Sequence, residues 1–442
     1  MKRLGLKTAL ISSCAALLVA GAPMAHAQSR AALPAVDSQV RGVSAKVIAW
    51  RRDIHQHPEL GNSEKRTAAI VAEHLRGLGL EVRTGIGHTG VVGVLRGRKP
   101  GGVLALRADM DALPIKEATG LPFASTVTVD VDGKPTPVMH ACGHDAHTAM
   151  LMGAAEVLAG MRDRISGTIL FVFQPAEEGG PPGEISGARL MLKEGVFKDI
   201  KPDAIFALHV EPGPAGQVQV RSGPLLSSAS NIIIDLKGRQ THGGRPWEGT
   251  DLINMSADVV KSLATIASRQ VNVFEFPNVV SIGSLQAGNR MNILPGTAAL
   301  RGTIRTFDIA RRDRLKELIR ISVSGLAATY GAEASVSFED VALVAGSDPK
   351  LLETILPALR TSATAGVDTN TLLRGAAEDF SFFQETIPGV YYILGSTPKN
   401  APKDAVPTNH SDKFDIDESV LAVGVKSHVL TSLTYLDSIA KR

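Results

Sequence analysis

Cysteine is almost missing from this chain: 442 residues contain two, Cys14 and Cys142, too few for a disulfide scaffold. Charge of either sign is not in excess, with 47 Lys and Arg against 44 Asp and Glu, so no basic surface of the kind that holds nucleic acid is expected. Low-complexity and collagen-like bias are absent. No apolar run reaches the roughly 18–20 residues that cross a bilayer as a helix. Two familiar fingerprints are also missing. There is no G-x-S-x-G nucleophile elbow, and Gly85-Ile86-Gly87 precedes an apolar run instead of following one, so it is no dinucleotide-binding turn.

What is present begins with an export signal. Lys2, Arg3 and Lys7 lead into an apolar stretch from about Thr8 to Ala22, and Ala25-His26-Ala27 stands before Gln28. That order predicts a signal peptide over residues 1–27, cleaved after Ala27, and an exported, periplasmic or secreted, protein without a stable membrane anchor. Ile11-Ser12-Ser13-Cys14 resembles a lipoprotein signal only faintly, because too little apolar sequence precedes the cysteine. Cleavage removes three basic residues and no acid, leaving 44 of each sign and Cys142 as the lone thiol. A lone cysteine is most often a small buried hydrophobe; its neighbours argue for more.

Length and 44% hydrophobic content allow two packed cores. Apolar runs at Val91–Leu95, Val103–Leu106, Ile169–Phe173, Ile205–Leu208 and Val390–Leu394 read as buried parallel strands. Helix-like stretches, Arg66–Leu78 and Thr148–Leu158 among them, lie between. The alternation predicts an α/β catalytic domain around a mostly parallel central sheet. Ligands gather at the carboxyl ends of such strands, where Asp109, Asp111, Glu177, Glu178 and His209 fall. From Leu226 to Glu339 the order becomes strand, helix, strand, strand, helix, strand (231–236, 252–268, 279–285, 298–306, 311–329, 334–338), the ferredoxin-like βαββαβ arrangement. The expected division is catalytic domain 36–225, inserted lid or dimerisation domain 226–339, and catalytic domain 340–442, ending in an amphipathic helix after Asp417.

The richest segment is His140-Ala141-Cys142-Gly143-His144-Asp145-Ala146-His147. A thiolate and an imidazole separated by one glycine can turn toward one borderline-soft cation. Phe173-Gln174-Pro175-Ala176-Glu177-Glu178-Gly179-Gly180 adds two adjacent carboxylates. In extended backbone they point to opposite sides, so one can grip metal while the other faces a bound water. His209 closes an apolar strand and His410 lies in Thr408-Asn409-His410-Ser411. Cys142, His144, one of the two glutamates, His209 and His410 make five candidate ligands. Five exceeds one tetrahedral zinc and suits two ions about 3.5–4 Å apart.

Those segments, with His55-Gln56-His57-Pro58-Glu59-Leu60, Arg107-Ala108-Asp109-Met110-Asp111-Ala112-Leu113-Pro114, Asn289-Arg290-Met291-Asn292, Ala377-Glu378-Asp379-Phe380 and Asn409-His410-Ser411, resemble the hippurate hydrolase and indole-acetyl-amino-acid hydrolase branch of the aminoacylase metallopeptidases. The resemblance runs from about Ala49 to the C-terminal helix. It implies a metal-dependent amidohydrolase acting on N-acyl amino acids, with a metallo-carboxypeptidase or dipeptidase as the alternative and a non-catalytic binding protein as a remote one. It implies Glu177 as general base and Cys142, His144, Glu178, His209 and His410 as ligands of two divalent zinc, manganese or cobalt ions; the residues alone do not order Glu177 against Glu178. It implies a homodimer in which His242 reaches a neighbouring subunit's site to stabilise the oxyanion, and Asn292 and Arg305 as holders of substrate carbonyl or carboxylate. The chain departs at Arg245-Pro246-Trp247, where many relatives carry a second histidine; that bears on the acyl pocket, not the metal site. His55 and His57 are expected to shape a helix end, and His140 and His147 to support the site from behind at most. Asp111 is expected to orient a ligand or loop.

Overall fold

A computed structural model describes residues 22–181, 183–401 and 406–440, with side chains from residue 33 onward. Cys14 and most of the expected signal peptide lie outside the described residues; the backbone of 22–27 belongs to the helix Ala22–Gln56. Among the described residues no helix is long and apolar enough to cross a membrane.

A ten-stranded sheet organises the larger part of the chain. At its centre Ser166–Gln174, Lys99–Asp109, Ala204–Glu211 and Gly389–Gly395 run parallel, in that order. Each is apolar on both sides because both faces are covered. Leu104, Leu106, Ile169, Phe171, Phe206, Leu208, Val390 and Tyr392 face one core. That core also holds the helices Ala22–Gln56, His144–Gly160, Pro349–Ser362 and Val420–Ile439. The alternate residues Ala105, Leu170, Val172, Ile205, Ala207, Tyr391 and Ile393 face a second core, closed by Ala188, Met191, Phe380 and Phe383. The period of two thus splits each strand between two layers.

Two expectations are corrected. Val91–Leu95 lies in a strand, Gly90–Arg96, but it pairs antiparallel with both neighbours, Glu81–Ile86 and Ser166–Gln174. Only Gly87, His88 and Thr89 separate it from the preceding strand. So short a turn can join only antiparallel strands, and positive φ at Gly85, Gly87 and His88 (78°, 64° and 75°) makes the reversal. The last helix, Val420–Ile439, is buried on nearly every side instead of being amphipathic, because it is packed between other helices and the sheet.

The stretch 228–342 forms a separate layer. Four antiparallel strands stand in the order Asn278–Ala287, Thr297–Thr306, Ser228–Lys237, Glu333–Ala342. Ile232, Ile234 and Leu236 pack from one face against the helices Leu252–Arg269 and Ile309–Tyr330. Both helices start at an aspartate, Asp251 or Asp308, whose side chain accepts a first-turn N–H.

Candidate metal centre

The central strands deliver the polar groups at their carboxyl ends. Asp109 ends one strand, Gln174 ends the next and leads into the turn carrying Glu177 and Glu178, and His209 stands near the end of the third. His144 opens the helix His144–Gly160 after Gly143, whose φ is 91°. A Cβ on Gly143 would meet Val210 Cγ2 at 2.3 Å, so glycine is required for Cys142 and His144 to turn inward together.

Five residues expected as ligands meet here. The donor atoms of Cys142, His144 and His209 lie within 4.8 Å of one another, and so do those of Cys142, Glu178 and His410. Cys142 is common to both groups. Its Sγ is 3.5 Å from His209 Nε2, and His410 Nε2 is 2.8 Å from Glu178 Oε1.

Proton positions follow from the partners. His144 Nδ1 lies 2.8 Å from the Asp111 carbonyl oxygen and 3.1 Å from Asp111 Oδ1. Both oxygens only accept, so Nδ1 carries a proton. Nε2, buried, has no hydrogen-bond partner among the described residues. His209 Nδ1 likewise donates to the Val210 carbonyl at 2.8 Å, turning Nε2 toward the thiol. Burial opposes a charge on His144, yet Asp109 and Cys142 hold its pKa well above the ordinary value. His410 is pushed up to about 10 by hydrogen bonds to Cys142 and Glu178. Unpartnered nitrogen, thiol and carboxylate around one point fit a borderline-soft divalent cation.

His147 is close but occupied. Its Nδ1 donates to Asp109 Oδ1 at 2.6 Å and its Nε2 accepts the Val210 N–H at 2.8 Å, so it orients the strand ends around the ligands. Asp111 orients both sides of the centre, because its Oδ2 also accepts the Glu178 N–H at 2.9 Å. His57 bonds the Asp53 carbonyl at the helix end, as expected. His55 does more than shape that end: it is buried between Asp145 and Glu117. His140 is buried with neither ring nitrogen bonded among the described residues, and burial lowers its pKa to about 3.

Glu177 faces different company. Burial first, then the charges of Glu378, Glu178 and Asp379, push its carboxyl well above the usual range. Glu378 and Asp379 are gathered by Arg107, itself 1% exposed, which also binds Asp109 at 2.6 Å and Gln174 at 2.8 Å. Tyr391 Oη donates to Glu378 at 3.0 Å. No role for Arg107 or Tyr391 followed from the sequence; the one available signal was a charge inside the apolar run 103–108.

Cys142, Glu177, Glu178, His209, Glu378 and His410 line a cleft of about 720 Å³. Arg305 and Arg374 line it as well. Arg374 contacts Glu211 and Gln219; nothing in the sequence had singled it out. Arg305 is half-buried and forms no ion pair among the described residues, and burial alone lowers its pKa. His242 and Asn292 are not brought to this cleft by their own chain. They lie together on the second layer, exposed, where the strands 241–242 and 293–294 pair and the Gly243 N–H donates to the Asn292 carbonyl at 2.7 Å. A separate groove of about 780 Å³ over the same layer contains none of the expected site residues.

Residues 105–433 match the model of peptidase family M20/M25/M40. Thermostable carboxypeptidase 1 of Saccharolobus solfataricus is 39% identical over 90% of this chain and 97% of its own. N-acetylcysteine deacetylase of Bacillus subtilis is 35% identical over 89% and 98%. The crystal structure of the Bacillus subtilis YxeP protein, described as a dinuclear metal binding peptidase from the M20 family, superposes with a TM-score of 0.75. It is 32% identical and covers 90% of this chain and 100% of that one.

Proposed function

The chain belongs to peptidase family M20/M25/M40, and from that membership we propose that it is a two-metal amidohydrolase that splits N-acyl amino acids into a carboxylic acid and a free amino acid. The observation that carries the substrate class is Arg305. A half-buried guanidinium with no carboxylate partner among the described residues, facing a cleft that also holds Cys142, Glu177 and His410, suits an anionic group close to the scissile amide. The relatives named as an N-acetylcysteine deacetylase and an N-acyl-L-amino acid amidohydrolase support the same reading.

Cys142, His144, His209, Glu178 and His410 would hold two divalent cations, zinc, manganese or cobalt. Bound there, such ions would act as Lewis acids on a carbonyl and would lower the pKa of a water to about 7. Glu177 then does the proton work. Its carboxylate takes a proton from the attacking water and returns it to the leaving amine nitrogen. Arg305 holds the substrate carboxylate. The unit 226–339 acts as lid and dimer contact, through which His242 and Asn292 of one subunit serve the site of the other. The basic, apolar, Ala-X-Ala order of residues 1–27 supports an exported enzyme, and N-terminal sequencing of the mature protein checks it.

A carboxypeptidase reading has its own support, the 39% identity to two carboxypeptidases. A panel of hippurate, N-acetyl amino acids and unblocked dipeptides, assayed with metal-reconstituted protein, separates the two. Turnover confined to unblocked peptides overturns the acyl-amino-acid reading. Less than one ion per chain after reconstitution overturns the two-metal one.

A further inference from the structure

Glu64 is fully buried and belongs to no group described so far. It follows the segment His57-Pro58-Glu59-Leu60-Gly61, which stands out in the sequence and which the hydrolytic scheme leaves without a task. Its carboxyl group ties together two distant loops. Oε2 accepts the Thr89 hydroxyl at 2.5 Å, from the turn between the first two strands, and Oε1 accepts the Ala176 N–H at 2.8 Å. Ala176 directly precedes Glu177 and has a φ of 48°. Only glycine enters that left-handed region freely, so a residue with a Cβ stays there when its surroundings hold it.

The rest of the segment makes the same contact tighter. Gly61 lies so close to the glutamate turn that a Cβ on it would sit 2.2 Å from the Gly179 carbonyl oxygen and 3.1 Å from Ala176 Cβ. Glu59 accepts the Arg66 and Thr67 N–H groups at 2.9 Å each, capping the helix Lys65–Gly77, while its carbonyl accepts the Ala112 N–H at 2.8 Å. Helix start, Asp111–Ala112 and the 176–179 turn are thereby fixed against one another.

We propose that Glu64 is a positioning residue: held between Thr89 and Ala176, its carboxyl group maintains the left-handed turn that sets Glu177 and Glu178 into the cleft. The role rests on reading Glu177 as the base. Burial and the nearby charge of Asp111 raise Glu64 to about 7, so a neutral side chain of the same shape is tolerated. Glutamine can accept from Ala176 with its carbonyl and donate to the Thr89 oxygen with its amide.

Hydrogen exchange of the stretch 174–180, in metal-reconstituted protein without substrate, tests this independently of any activity. Glu64→Ala should speed exchange there while the strand 99–109 stays protected, and Glu64→Gln should restore it. Turnover should fall about 10-fold to 100-fold in Glu64→Ala with KM little changed, as expected when a reacting group moves by about 1 Å, and recover in Glu64→Gln. Unchanged exchange in a folded Glu64→Ala protein overturns the proposal, as does a glutamine variant that folds but restores neither readout. If Glu64→Ala does not fold, Thr89→Val removes the second hold on the same carboxyl group: faster exchange confined to 174–180 is expected, and no change overturns the proposal. A wild-type enzyme inactive on every N-acyl amino acid would sink the functional reading, while the exchange result still decides the role of Glu64.

Discussion

Asp111 Oδ1 lies 3.1 Å from His144 Nδ1, and the opposite ring nitrogen, Nε2, is left without a hydrogen-bond partner among the described residues. The contact fixes which nitrogen of His144 keeps its proton and which is free, and the other oxygen of Asp111 holds the backbone of Glu178. One carboxylate therefore aims donors from two segments. Asp111→Asn should weaken metal affinity by about 10-fold to 100-fold, the usual cost of losing a group that orients a ligand. Competition with a chelator measures it. Affinity equal to wild type would mean that the Asp111 carbonyl, also bonded to Nδ1 at 2.8 Å, is sufficient.

The two adjacent glutamates should separate cleanly. Glu178 is paired with His410 at 2.8 Å, while Glu177 stands among Glu378 and Asp379. Glu177→Gln should keep its metal and lose about 10²–10⁴-fold in turnover, the range of a general base. Glu178→Gln should lose metal. The opposite pattern in metal analysis of the two variants would exchange their roles.

Cys142 is 7% exposed and its sulfur belongs to both donor groups. Cys142→Ser replaces a soft donor by a hard, weakly acidic one and should reduce metal content at limiting zinc. Pre-treating the metal-free protein with a thiol-blocking reagent should prevent recovery of activity, and pre-loading with metal should protect it. Full recovery after blocking would remove Cys142 from the ligand set.

The central parallel strands were legible in the sequence because burial on both faces demands continuous apolar runs. Direction was less legible: Val91–Leu95 has the same composition as its parallel neighbours, and only a three-residue turn reverses it. The metal donors could be read because Cys142 and His144 are neighbours and the glutamates adjoin an apolar strand. Arg107 and Glu378, in contrast, are separated by 271 positions and meet at 2.9 Å. Nothing local in either segment encodes that pair, which forms only when the fold brings the end of the strand Lys99–Asp109 against the loop before the helix Phe380–Gln384.

His55 gives stability a pH dependence. Burial opposes its charge, but hydrogen bonds donated to the Asp145 and Glu117 carboxylates raise its pKa from 6.5 to about 9. Arg51, paired with Asp145 at 2.8 Å, and His140, 6.4 Å away ring to ring, are the other polar groups around it. A group raised on folding stabilises fully below its unfolded pKa and loses that contribution as pH rises through the folded one. The contribution, on the order of 3 kcal/mol at most, should fade between pH 6.5 and 9. Urea midpoints of wild type and His55→Gln should therefore converge as pH rises from 6 to 9.5. A gap independent of pH would show that His55 is not charged in the folded state.

His242 is the residue whose proposed role its own chain leaves incomplete. It is exposed beside Gly243 and Gly244, away from the cleft, and the Gly244 N–H donates to its Nδ1 at 3.0 Å. Since Nδ1 accepts, the proton of the neutral ring is on Nε2, which leaves a donor directed outward. A donor placed over a developing oxyanion stabilises the transition state more than the bound substrate. His242→Ala should thus lower kcat with less effect on KM and none on metal content. If the ring serves a partner's cleft, subunits carrying His242→Ala and subunits carrying Glu177→Gln, each nearly inactive alone, should recover activity when mixed, because each mixed dimer contains one site with both groups intact. Complete exchange would bring recovery toward one quarter of wild-type activity, since about half of the dimers are mixed and each has one of two sites restored. Absence of recovery despite demonstrated subunit exchange would confine His242 to its own chain and leave the oxyanion to other groups.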